Sequence, residues 1–107
     1  MRMYIIVNTT CAGTHFWSEC NIEEVGYLAQ KHRHNFHITC KKEVMSTNRE
    51  IEIISLKAMI DKHLANFNGS FGWRSCEAIA CDLISTFDLS YCAVLEDGEN
   101  GAEVWAS

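Results

Sequence analysis

The spacing of hydrophobic positions along this 107-residue chain changes several times, and each change predicts an element. Residues 1–14 are rich in β-branched side chains and read as a strand. Between 31 and 44 apolar and polar residues alternate, which predicts a long strand with one buried face. Between these two, Asn21 followed by acidic residues predicts the N-cap of a short helix through Ala29.

Two later segments have helical periodicity. In the first, residues that face one way recur every three or four positions: Leu56, Met59, Ile60, His63 and Leu64. The run breaks at 66–70, where asparagine and glycine are concentrated. The second has the same stripe: Cys76, Ile79, Ala80, Leu83, Ile84 and Phe87. Ser75 is placed to cap this second helix.

The remaining segments favour the extended state. Residues 49–53 are expected to form a hairpin with the long strand, and 91–96 and 102–106 two further strands around a turn at 97–101. Strands grouped at both ends of the chain, with a helix pair between them, predict an α+β fold with an antiparallel sheet and helices on one face. The length allows one domain, residues 1–107.

The charge and the distribution of apolar residues exclude some classes of partner and location. The net charge of -5 and the scattered nine lysines and arginines argue against a nucleic-acid partner. The chain has no apolar run near 18 residues, so no membrane span is expected. Its first residues lack the pattern of a signal peptide, which favours a cytoplasmic location.

The six cysteines lack the C-x-x-C spacing of a zinc knuckle or redox pair. Without an export signal they are expected to be reduced and mostly buried. Cys76 and Cys81, which lie in apolar helical surroundings, are expected to be the most inert.

The segment HRHNFH, residues 32–37, contains three of the five histidines. In a strand, His32 and His34 point to one face about 7 Å apart, whereas His37 faces the other way. His15, at the end of the first strand, is a candidate third partner. Three histidines with an open fourth position are typical of a zinc that accepts a ligand. The alternative is a solvated H-x-H strand that binds no metal.

Five segments together resemble a known family. In chain order they are AGTH at 12–15, HRHNF at 32–36, IEIISLK at 51–57, SCE at 75–77 and LED at 95–97. They resemble the signature of the 6-pyruvoyl- and 6-carboxy-tetrahydropterin synthases, and the resemblance covers nearly the whole chain. One difference is Arg33, which stands where the family usually has glycine.

The resemblance implies a T-fold, in which an antiparallel four-stranded sheet carries two main helices on one face. In that fold the sheets of several subunits join into a barrel, so a homo-oligomer, a tetramer or hexamer, is expected, with sites between subunits. It also implies Zn²⁺ held by His15, His32 and His34, and a small-molecule pterin or purine nucleotide as ligand. Glu96 would accept the N–H groups of the ring, and Glu77 would contact the ligand or serve the helix start and the subunit interface.

The catalytic residues of the family are not matched. Its cysteine, four to six residues before the H-x-H pair, is replaced by residues 26–28 without a thiol. Cys20 is the nearest substitute. Asp61 and His63 resemble the family's Asp-His pair, although His63 lies on the apolar stripe and also fits a core or interface role.

Three hypotheses follow from this mixture. The first is a protein that binds a pterin or purine nucleotide without ordinary synthase turnover. The alternative is an active zinc-dependent lyase that uses Cys20 or His63. A third is a scaffold whose zinc is only structural.

Overall fold

The computed structural model describes residues 1–107 and has an α+β fold, as the hydrophobic pattern predicts. Its elements, in chain order, are β1 (Met3–His15), a 3₁₀ segment (Glu23–Ala29), β2 (His32–Val44), α1 (Ile53–Ala65), β3 (Ser70–Gly72), α2 (Cys76–Phe87), β4 (Tyr91–Glu96) and β5 (Asn100–Trp105). None of the helices is both long and apolar enough to cross a bilayer.

The five strands form one mixed sheet in the order β3-β1-β2-β4-β5. The antiparallel pair β1 and β2 extends without interruption from Met3 opposite Val44 to His15 opposite His32. β4 is antiparallel to both β2 and β5, and the short β3 runs parallel to the end of β1. Four strands are therefore antiparallel, and a fifth, parallel strand was not predicted.

The core lies between one face of the sheet and the two long helices. α1 packs on β1, and α2 packs on β4 and β5. The strand residues on this face alternate with exposed ones, as a period of two requires. The buried side chains include Phe36, Ile38, Cys40, Leu56, Ile60, Leu64, Phe71, Ile79, Leu83, Cys92 and Val94. The opposite face of the sheet has no helix over it.

The prediction of a strand at 49–53 is wrong, because this segment forms a turn that leads into α1. Arg49 has a positive φ of 52°. The carboxylate of Glu52 then accepts hydrogen bonds from the backbone N–H groups of Ile54 (3.0 Å) and Ser55 (2.9 Å). An N-cap of this kind satisfies the free amides of a first helical turn, and it overrides the strand preference of the isoleucines.

The sequence signals for helix caps had mixed outcomes. Ser75 caps α2, since its hydroxyl accepts a hydrogen bond from the Ala78 N–H at 3.1 Å. Asn21 does not cap the 3₁₀ segment, whose N-cap is Ile22 with no side-chain hydrogen bond. Met59 is 54% exposed and lies off the buried stripe of α1.

Candidate metal centre

Four side chains that can bind a metal ion meet at one end of the sheet, on the face that the helices cover. His15 is the last residue of β1 and lies directly opposite His32, the first residue of β2. His34 is two residues further along β2 and points to the same face. Glu96 ends β4, opposite Phe36 of β2. Three neighbouring strand ends therefore bring together residues that are far apart in the chain.

The Nδ1 atom of each histidine faces an oxygen atom. These oxygens are the Arg74 carbonyl for His15 (2.8 Å), the Gln30 carbonyl for His32 (2.9 Å) and the Asp97 carboxylate for His34 (2.8 Å). Carbonyl and carboxylate oxygens only accept, so each Nδ1 carries the hydrogen and donates it. In a neutral imidazole the lone pair is then on Nε2, ready to bind a metal.

The three Nε2 atoms are buried and have no hydrogen-bond partner. Together with a carboxylate oxygen of Glu96, they all lie within 4.8 Å of one another. A buried polar atom without a partner costs about 1–3 kcal/mol. Three such atoms converging on one point are therefore evidence of a cation site, and the group could hold a metal ion.

The position of Glu96 strengthens this inference. One of its oxygens lies 3.0 Å from Nε2 of His15, and the other lies 3.6 Å from Nε2 of His34. Because the hydrogens are on Nδ1, each contact brings a lone pair of an Nε2 atom close to a lone pair of a carboxylate oxygen. Neither contact is therefore a hydrogen bond. A positive charge between the carboxylate and the imidazoles removes the repulsion.

Beneath the histidines lies the ring of Phe36, which is fully buried. It makes edge contacts with the rings of His15 (5.2 Å between centroids) and His34 (5.8 Å), and with Phe71 of β3 (5.2 Å). The hydrophobic core thus supports two of the three imidazoles directly and restricts their orientation.

A cleft of about 470 Å³ opens beside the four-residue group. Besides His15, His32 and Glu96, its lining comprises Trp17, Leu28, Trp73, Ser75, Cys76, Glu77, Asn100 and Gly101. The side chains of Trp17 and Trp73 are 45% and 67% exposed. The lining contains two carboxylates and no lysine or arginine. The cleft therefore offers aromatic surface and hydrogen-bond acceptors to a ligand.

Cys76 lines this cleft, a position that the sequence did not reveal. It is the first residue of α2 and is buried. Burial, followed by the charges of Glu96 and Glu77, raises the pKa of its thiol to about 12. At neutral pH the thiol is therefore protonated and a poor nucleophile, which agrees with the expectation that Cys76 is inert.

Alkylation can test this assignment, with Cys81 as the internal control on the same helix. Cys81 is exposed, contrary to expectation, whereas Cys76 is buried. We expect iodoacetamide at pH 8 to modify Cys81 first and to leave Cys76 almost unmodified until the protein is denatured. Peptide mass spectrometry over time measures both rates. Equal rates for the two thiols in the native protein would contradict the raised pKa.

The two residues predicted to be catalytic lie away from the group. The thiol of Cys20 faces the backbone carbonyls of Ile22 (3.9 Å) and Val25 (3.5 Å). His63 lies between the helices, where its Nε2 is 2.7 Å from the carboxylate of Asp82 in α2. Neither Cys20 nor His63 lines the cleft. Their catalytic roles stay predictions, and the geometry of His63 is that of an interhelical contact.

Some residues around the centre carried no sequence signal of their own. Trp17 and Trp73 lie outside every periodic stripe, and only the fold brings them to one cleft. Glu96 lines the cleft and also lies against His15 and His34, a contact that the sequence did not reveal; its expected role in binding a ligand ring stays a prediction.

No protein-family model matches the chain, and a search of the curated proteins finds no match. The function is therefore inferred from the geometry of the metal centre and the cleft.

Proposed function

We propose that this protein binds zinc through His15, His32 and His34, with Glu96 beside the ion, and holds a planar ring ligand next to it. The observation that carries the proposal is the convergence of three buried Nε2 lone pairs on one carboxylate. Neutral imidazole and carboxylate are ordinary zinc ligands, and three histidines leave a fourth position for a carboxylate, water or ligand.

The residues that line the cleft support the proposed ligand class. Trp17 and Trp73 offer flat surfaces on which an aromatic ring can stack. Glu77 lies in the first turn of α2, where its carboxylate can accept a pair of parallel N–H bonds. Glu96 can do the same when it is not engaged by the ion. Pterins and purines present such an N–H edge, so a pterin or purine nucleotide is the proposed ligand.

The T-fold type of assembly is part of the proposal. β1 has a free edge along residues 3–13, and β5 has β4 as its only neighbour. A free edge offers unpaired backbone N–H and C=O groups to a strand of another chain. The helix-free face of the sheet also exposes Ile6 and Trp105. A tetramer or hexamer joined through these edges would cover that face, and a neighbouring subunit would supply the cations that the phosphates of a nucleotide need.

The same geometry favours capture of the ligand over ordinary synthase turnover. A thiol nucleophile or general base is worth roughly 10²- to 10⁴-fold in rate. In the cleft the only thiol is that of Cys76, which is protonated, and neither Cys20 nor His63 reaches it. The alternative is an active tetrahydropterin synthase-type lyase, favoured by the open cleft beside the histidines. Zinc would there polarise a substrate hydroxyl or carbonyl.

Ligand binding and turnover can be measured on the same zinc-loaded protein. Neopterin and guanosine, added in turn, are expected to quench the fluorescence of Trp17 and Trp73. Glu77→Gln should weaken binding by about tenfold or more, since a hydrogen bond to a charged group is worth about 1.5–3 kcal/mol. Glu43→Gln, which removes an exposed carboxylate from β2, should change nothing.

Turnover is tested with 7,8-dihydroneopterin triphosphate. Binding without release of triphosphate or acetaldehyde supports the capture function. Release that depends on zinc would establish the lyase alternative in its place. If none of the rings binds, the proposed ligand class is wrong.

A further inference from the structure

We infer that Asp97 is a positioning residue of the metal centre, which fixes the hydrogen of His34 on Nδ1 and so keeps Nε2 free for the ion. This inference rests on the proposed zinc centre. Of the three histidines, only His34 has its Nδ1 bonded to a charged side chain; the other two donate to backbone carbonyls.

The backbone holds Asp97 firmly in place for this contact. It has a positive φ of 56° in the turn after β4, followed by Gly98 at 74°. Its N–H donates to the carbonyl of Asn35 at 2.7 Å, and its Oδ1 accepts from the N–H of Asn35 at 2.9 Å. Asp97 is thereby fixed to the strand residue that follows His34.

Both carboxylate oxygens of Asp97 are used as acceptors. Oδ1 accepts a hydrogen bond from the Asn35 N–H. Oδ2 accepts one from the Nδ1–H of His34, at a distance of 2.8 Å. These hydrogen bonds, that of His34 first, lower the pKa of Asp97. A carboxylate behind a ligating imidazole fixes its tautomer and makes the ring a stronger donor to the metal.

The two carboxylates at the centre also affect its chemistry. Glu96 beside the ion and Asp97 behind His34 place two negative charges around a dication. Negative charge close to the site favours binding of the dication itself through Coulomb attraction.

Asp97→Asn tests the assignment because asparagine has one acceptor oxygen where aspartate has two. If that oxygen keeps the Asn35 N–H, the amide NH₂ faces Nδ1 of His34 and drives the hydrogen to Nε2, which blocks the metal. If the oxygen turns to His34 instead, the Asn35 N–H loses its partner and the ring loses its anionic acceptor. Asparagine tolerates a positive φ, so the turn itself is preserved.

The matched control is Glu99→Gln, which removes one negative charge from the same turn. Glu99 is exposed, and its backbone N–H bonds to Glu96. Zinc affinity is measured for both variants by competition with a chromophoric chelator. We expect Asp97→Asn to lower it about 10- to 100-fold and Glu99→Gln to leave it within about threefold. Melting of the metal-free proteins shows whether either variant is merely misfolded.

Nuclear magnetic resonance can detect the hydrogen on Nδ1 of His34 directly. This signal would not change if Asp97 only stabilised the turn. In the ¹⁵N-labelled zinc-loaded wild type, His34 is expected to show a hydrogen on Nδ1 that exchanges slowly with water, and Asp97→Asn should lose that protection. Equal zinc affinity for Asp97→Asn and wild type, or an Nδ1 without hydrogen in the wild type, would overturn the inference. If the wild type binds no zinc at all, the proposed function fails as well, so the two failures are distinguishable.

Discussion

Replacing His34 with alanine is expected to weaken zinc binding strongly, and with it to remove most of the stabilisation that zinc gives to the wild type. The Nε2 atom of His34 is one of three that converge, and the variant has one protein ligand fewer, with only His15, His32 and Glu96 left around the ion. A metal present at 100 to 1,000 times its dissociation constant stabilises a protein by about 2.7 to 4.1 kcal/mol. Urea unfolding with and without zinc measures this difference directly.

The metal-free proteins are expected to behave differently. Without the ion, His34 contributes a buried Nε2 without a hydrogen-bond partner, placed against Glu96. Removing it costs ring contacts with Phe36 and the hydrogen bond from Nδ1 to the exposed carboxylate of Asp97, but it relieves that repulsion. The metal-free variant should therefore lie within about 2 kcal/mol of the metal-free wild type. A large loss of stability without zinc, equal to that with zinc, would show that His34 is only a packing residue.

His37→Ala is the matched control for this experiment. His37 lies on the same strand, three residues further on, but it is exposed on the opposite face of the sheet. The variant removes one imidazole from HRHNFH without touching the convergent group. Zinc content by elemental analysis should therefore equal that of the wild type. We call the alternation of side chains between the two faces of a strand its parity. If both variants lose zinc to the same degree, the assignment of the zinc ligands by strand parity is wrong.

Strand parity is also the reason why the histidine part of the site could be predicted from sequence. A period of two places His32 and His34 on one face and His37 on the other, and the structure has this arrangement. The register that sets His15 opposite His32 depends on pairing between strands, so their spacing in the chain alone could not fix it. The periodicity therefore identified the three histidines as candidates, whereas only the family resemblance led us to expect that they converge on one ion.

The role of Glu96 shows where sequence reasoning ends. A glutamate at the end of a short strand next to a turn resembles any solvated turn residue. Its contact with His15 and His34 arises because β4 pairs with β2 and ends opposite Phe36. The same limit explains the missed strand β3, whose three residues are too few for a periodic signal. Tertiary pairing decides both features.

Replacing Phe36 with alanine is expected to lower the free energy of unfolding by about 3–5 kcal/mol, the cost of a large cavity in a packed core. Its ring is fully buried and contacts Phe71 as well as the two histidines. Such a loss is a large fraction of the stability of a small domain, about 5–15 kcal/mol. Phe36→Leu, which keeps most of the volume, is therefore the variant on which zinc binding can be measured.

The position of Phe36 beneath His15 and His34 predicts an effect on metal binding as well. A smaller side chain there leaves both imidazoles less restricted, so zinc affinity of Phe36→Leu should fall, although no ligand atom is removed. Leu83→Ala provides the comparison, because Leu83 is equally buried in the same core but lies on α2. It should lose about 2–5 kcal/mol of stability with unchanged zinc affinity. If Leu83→Ala weakens zinc binding as much as Phe36→Leu does, the effect reflects general loosening of the core. The ring of Phe36 would then have no specific role in orienting His15 and His34.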